Sequence, residues 1–160
     1  MAITIASGMR LTPARLNALI PLVARKTSDE TVNNTATYQD DNELLLTLEP
    51  NAAYLGHLHM MFLSGTTPDF KYQFTYPAGV TLPEWSFVIG PTGSQQTGEA
   101  VNGGVTGING TGANSPIDAW GLVIVGSTGG TLRVQWAQNA ANASNTTVRA
   151  GSFLRLQRYS

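Results

Sequence analysis

The chain has 160 residues, 42% of them hydrophobic and only 12% charged, with a net charge of −1 and no cysteine. That length buries one good core and leaves two full domains cramped. The few basic residues are scattered, which excludes the clustered Lys and Arg that neutralise phosphates, and the lack of Cys excludes a disulfide framework or a thiolate metal site.

The opening residues, MAITIASGMRL, carry neither a basic leader nor a long apolar core. No apolar run approaches the roughly 18 to 20 residues that span a bilayer, so neither a secretory signal nor a membrane partner is expected. The first predicted element is a helix from Thr12 to Leu19. Thr12 caps it, Pro13 suits the first helical position, Leu16, Leu19, Ile20 and Val23 follow at helical spacing, and Pro21 ends or kinks it. That stripe is too short to be stable without something to pack against. Residues 1–26 therefore read as a docking arm, with Leu11, Leu16, Leu19 and Ile20 as its apolar contacts, and residues 27–160 as a β-sandwich domain. The competing reading makes the helix a lid on the sheet.

From Glu30 onward the period becomes two. Thr31 to Tyr38 and Glu43 to Leu48 read as edge strands around an acidic turn, Gln39 to Asn42. The turn is expected to be solvated, because it lacks the glycine and ligand alternation of a calcium loop. Ala53 to Leu63 is apolar on both sides, Tyr54, Leu58, Met60 and Phe62 on one and Leu55, Met61 and Leu63 on the other. Such a pattern predicts a central strand covered twice. Phe70 to Tyr76 alternates as a half-buried strand, and Trp85 to Ile89 and Trp120 to Val125 add two more. Gly90 to Pro116 is long and rich in Gly, Thr and Asn, which marks it as functional, mobile or held by a partner. Val101, Val105 and Ile108 leave room in it for one or two short strands at a subunit contact. Thr131 to Ala137 and Phe153 to Tyr159 alternate again, joined by the uncharged loop Asn139 to Thr147, which puts the end of the chain inside a sheet. The fold expected is all-β, a β-sandwich of jelly-roll type with one short N-terminal helix.

His57 and His59 are the only histidines, and their spacing on a strand puts both imidazoles on one face. No third metal ligand is evident, so with Met61 they read as a subunit contact. No serine stands in a nucleophile elbow, and Gly103, Gly104 and Gly107 lack the Lys-Ser/Thr and helix start of a phosphate loop. Neither an enzyme nor a cofactor is expected. The glycosylation-type triplets at Asn33, Asn109, Asn142 and Asn145 read as chance in an Asn- and Thr-rich chain. Trp85, Trp120 and Trp136 could be core or sugar platform, and alternation places Trp136 with Leu132 and Val134 on a core face.

Four segments carry a resemblance: GMRLTPARLNAL (Gly8 to Leu19), KTSDETVNNTATYQDDNELLLTLEPNAAY (Lys26 to Tyr54), SGTTPDFKYQFTYPAG (Ser64 to Gly79) and LRVQWAQNAANASNTTVRAGSFLRL (Leu132 to Leu156). Together they resemble a small domain of virion proteins from tailed bacteriophages, particularly those of actinobacteria. The resemblance implies a non-enzymatic component of the particle, made in the cytoplasm of the bacterial host, such as a tail fibre, minor tail or capsid decoration protein. It further implies homotrimers and capsid or tail proteins as partners. The runner-up is a carbohydrate-binding module for host cell-surface glycan, in which exposed rings stack on sugar.

Overall fold

Alternating side chains favour strands along most of the chain, and the computed structural model describes residues 8, 10, 12, 16, 19–90, 96–101 and 104–160; among these every element is a strand, and Leu16 alone is helical. The strands are β1 (Leu22–Arg25), β2 (Glu30–Val32), β3 (Gln39–Leu48), β4 (Ala53–Leu63), β5 (Phe70–Thr75) and β6 (Val80–Ile89). They continue as β7 (Gln96–Val101), β8 (Val105–Ile108), β9 (Asn114–Val125), β10 (Gly130–Gln138), β11 (Thr146–Val148) and β12 (Phe153–Arg158). An eight-stranded sheet runs β1-β12-β4-β9-β6-β7, with β11 joining β4 to β2, and a four-stranded sheet runs β3-β10-β5-β8. Every pairing is antiparallel. The two sheets pack as a β-sandwich.

Between them lies one core. Tyr54, Leu58, Met60 and Phe62 of β4 meet Tyr72 and Phe74 of β5 and Leu132, Val134 and Trp136 of β10, with Leu154 and Leu156 of β12 beside them. Trp85 lies flat across this layer. Its indole stacks on Phe74 at 4.3 Å, and its Nε1 donates to the Tyr76 hydroxyl at 2.8 Å. The room comes from Gly56 and Gly121, paired with each other on β4 and β9, since a Cβ on either would collide with the indole.

Several expectations are corrected. The short N-terminal helix is not found among the described residues. Of Thr12 to Leu19 only Thr12, Leu16 and Leu19 are described, and the Leu16 and Leu19 amides donate to Thr12 O and Leu16 O, both at 3.0 Å. Pro13 and Pro21 bound a stretch shorter than the roughly 12 to 15 residues a free helix needs. The arm, read as 1–26, overlaps the sheet at its end: β1 pairs along β12, from Leu22 opposite Leu156 to Arg25 opposite Phe153. Thr31 to Tyr38 is a strand only at its start, because β2 ends at Val32 and Asn34 takes a positive φ of 52°. The segment Gly90 to Pro116, where the sequence leaves room for one or two short strands, holds among its described residues β7, β8 and the start of β9, all paired.

The acidic turn is a bulge inside β3, and its centre is buried. Pairing of β3 with β10 jumps from Leu45 opposite Arg133 to Asp40 opposite Gln135, which turns Asp41 inward. Asp41 Oδ1 accepts the Glu43 and Leu44 amides at 2.9 and 2.8 Å, and Oδ2 accepts Trp136 Nε1 at 3.2 Å and Lys26 Nζ at 2.9 Å. Lys26 is itself buried and also donates to Glu30 Oε2 at 2.6 Å. Burial pulls the Lys26 pKa down, but bonds to Glu30 and Asp41 together with their charges outweigh it and hold the ammonium above the usual lysine value. This ion cluster ties the chain leaving β1 to β2, β3 and β10.

Candidate functional site

A central strand with a single packed face leaves a second face outside, and on β4 that face is uncovered. Leu55 is 54% exposed and Trp120, on the neighbouring β9, is 49% exposed. The expectation that β4 is covered twice therefore fails within one chain. Among the described residues, three rows cross the outer face of the eight-stranded sheet in register. The middle row is Val23, Arg155, His57, Trp120 and Ser86 on β1, β12, β4, β9 and β6. On one side stand Arg25, Phe153, His59, Asp118 and Val88, and on the other Gln157, Leu55, Leu122 and Glu84.

Rings organise the centre of this face. His57 stacks on Trp120 with centroids 5.3 Å apart and planes 8° from parallel, while Phe153 meets His57 edge-on and lies against His59 at 5.5 Å. A single carboxylate oxygen orients both imidazoles: Asp118 Oδ1 lies 3.2 Å from His57 Nε2 and 2.8 Å from His59 Nδ1. A carboxylate only accepts, so each of those nitrogens carries the proton. Leu55, Gly56, His57, Trp120, Arg155 and Gln157 line a depression of about 280 Å³ beside the indole. Apolar rings with a few polar groups at the edge suit binding. No group of three or more His, Cys, Asp or Glu that could hold a metal occurs among the described residues.

The predicted contact residues His57 and His59 stand together here, with half-buried Met61 next along the same face, opposite Pro116. Leu16, Leu19 and Ile20 of the arm are all exposed, and Gln157 Nε2 donates to Leu19 O at 3.4 Å, which sets the arm beside the rim of the depression. Leu11 lies outside the described residues. Sequence reasoning missed Asp118, Phe153 and Arg155 as members of the site. Alternation was the available signal, since Ala119, Gly121 and Val123 assign Asp118, Trp120 and Leu122 to the opposite face.

Comparison with known proteins adds no assignment: the chain matches no family model and no curated protein. Among the described residues no helix is long and apolar enough to cross a membrane.

Proposed function

We propose that this chain is a non-enzymatic structural protein on the outside of a tailed-bacteriophage particle, a capsid decoration or tail-associated component. It assembles as a homotrimer through the outer face of the eight-stranded sheet and attaches by its N-terminal segment. One observation carries the assembly reading: a contiguous set of three half-exposed rings and a leucine, His57, Trp120, Phe153 and Leu55, occupies the middle of a sheet face. Patches of this kind mark surfaces that meet a partner. Removing such surface from water is worth about 25 cal/mol per Å² before ordering costs. The phage assignment rests on the resemblance of the four segments, and the many connections that cross between sheets support a jelly-roll arrangement. Synthesis in the host cytoplasm and residence in the virion belong to the same reading.

Light scattering with sedimentation velocity at micromolar concentration tests the assembly: a trimer is expected, and a clean monomer overturns it. Immunogold labelling of purified particles then places the protein on head or tail. A second reading draws on the depression beside Trp120, where an exposed indole rim stands next to Arg155 and Gln157, as in a platform for host glycan. A glycan array separates the two, since an assembly face ignores sugars.

A further inference from the structure

The ion cluster at Lys26 holds more chemistry than a structural ion pair needs. Its amine and the Asp41 carboxyl are both buried, with side-chain exposures of 1% and 0%, and Nζ lies 2.9 Å from Oδ2. The other oxygen of Asp41 accepts two backbone amides, from Glu43 and Leu44, at 2.9 and 2.8 Å. Two amides on one carbonyl oxygen are what an oxyanion requires. Glu30 Oε2 also stands 2.6 Å from Nζ, and the Gln39 side chain holds this carboxylate by donating to Oε1 at 3.1 Å. Trp136 Nε1 donates to the remaining oxygen, Asp41 Oδ2, at 3.2 Å. Glu43 Oε2 is farther from Nζ, at 3.9 Å, and Glu43 is occupied with Thr27.

We propose that Lys26 and Asp41 condense to an intramolecular isopeptide bond, with Glu30 as the proton carrier. The resting state is the ion pair, so the reaction begins when Nζ passes a proton to Glu30 Oε2, which relays it to Asp41 Oδ2. The neutral amine attacks Asp41 Cγ, and the electron pair of the carbonyl moves to Oδ1, where the Glu43 and Leu44 amides receive the charge. A second amine proton follows through Glu30 to Oδ2. The carbonyl at Oδ1 then reforms, the Cγ–Oδ2 bond breaks, and Oδ2 leaves as water. One N–C bond forms and one C–O bond breaks; the ammonium and carboxylate become an amide plus water, and Glu30 is regenerated without any oxidant or activating group. Condensation is uphill in open water, but a fixed pair behaves as if present at very high concentration, and a site closed to water disfavours the reverse step. Asp41 is the acyl donor and Glu30 the carrier because the amide pair sits on Asp41, whereas the Glu30 side chain is 17% exposed.

The bond would close the chain around β2 at the point where the N-terminal segment enters the sandwich, so tension on that segment would pass to β3 without peeling β2. Intact-mass spectrometry of the denatured full-length protein, after incubation at neutral pH, reads the outcome directly. The expected mass is one water below the sequence mass. Trypsin should no longer cut after Lys26, and fragmentation of the peptide from Lys26 to Lys71 should be silent between Lys26 and Asp41. Glu30→Gln and Asp41→Ala should each restore the full mass and the cut after Lys26. A wild-type protein that keeps its full sequence mass overturns the proposal, as does a water loss that persists in Asp41→Ala. The wild-type measurement decides even where a variant fails to fold.

Discussion

Set side by side, the outer faces of the two sheets obey the same alternation and end differently. On the four-stranded sheet, Gln73 Nε2 donates to Gln135 Oε1 at 2.7 Å, Gln135 Nε2 donates to Asp40 Oδ1 at 2.6 Å, and Arg133 pairs with Asp40. The Lys71 ammonium sits 4.7 Å from the centre of the Tyr38 ring. Most of these polar side chains bond to a cross-strand neighbour, although Arg133 Nε is left without a partner, and such cross-bonding is how a strand row facing water is finished. On the eight-stranded sheet the corresponding positions hold an indole stacked on an imidazole, a leucine and a phenylalanine, with Asp118 engaged in orienting the two histidines. Alternation alone marks both rows as outward. What separates surface from contact is whether the outward row knits itself together with hydrogen bonds or leaves apolar area for something else to cover.

The sharpest way to break that comparison is to put a charge on each face. Trp120→Arg should weaken self-association by about 100-fold, on the order of 3 kcal/mol for a central aromatic anchor, while circular dichroism and melting stay near wild type. Gln73→Arg, the matched change on the polar face, should leave the sedimentation profile unaltered. An intact trimer in Trp120→Arg would move the contact off this face.

A somewhat smaller effect comes from just beneath the ring cluster. A Cβ at Gly121 would clash with the Trp85 indole and stand 2.5 Å from the Glu84 carbonyl oxygen, and backbone cannot swing aside. At Gly56 the clashing atoms belong to the Trp85 and Leu156 side chains. Gly121→Ala should therefore cost about 1–3 kcal/mol in urea unfolding and Gly56→Ala less. Equal costs would show that the indole, and not the β6 backbone, limits the space behind the face.

These positions also show what was legible beforehand. The bounds of β4 follow from its continuous apolar run, and the core face of β10 from period-two alternation through Leu132, Val134 and Trp136. His57 and His59 were placed together by their spacing alone. Asp118 and Phe153 were not, since they join the histidines through the register of β9 and β12, which is set by long-range pairing. Asp41 was misread for a related reason. A run of acidic residues reads as a solvated turn unless a buried Lys and a Trp N–H are known to meet it, and Trp136 lies on a strand almost a hundred positions away. The arm residues Leu16, Leu19 and Ile20 look the same in sequence whether they pack within the chain or stay exposed, as they do here.

The smallest expected effect belongs to the polar face and titrates. The Gln135 side-chain bond, followed by the Arg133 bond and charge, lowers the Asp40 pKa below its usual 3.8. A carboxyl whose folded-state pKa is depressed adds stability above its unfolded pKa and loses it as pH falls through the folded value. Asp40 is half exposed, so solvent screening limits the contribution to about 0.5 kcal/mol. Asp40→Asn should thus be slightly less stable than wild type at neutral pH, and the gap should narrow as pH falls below about 3.8 through the depressed folded-state pKa of Asp40, closing once that carboxyl is protonated. Its oligomeric state should match wild type at each pH, because the charge lies on the face finished for water. A stability gap that stays constant across that range would mean that Asp40 holds Gln135 by hydrogen bonding alone; a change of oligomer would mean that the polar face is a contact too.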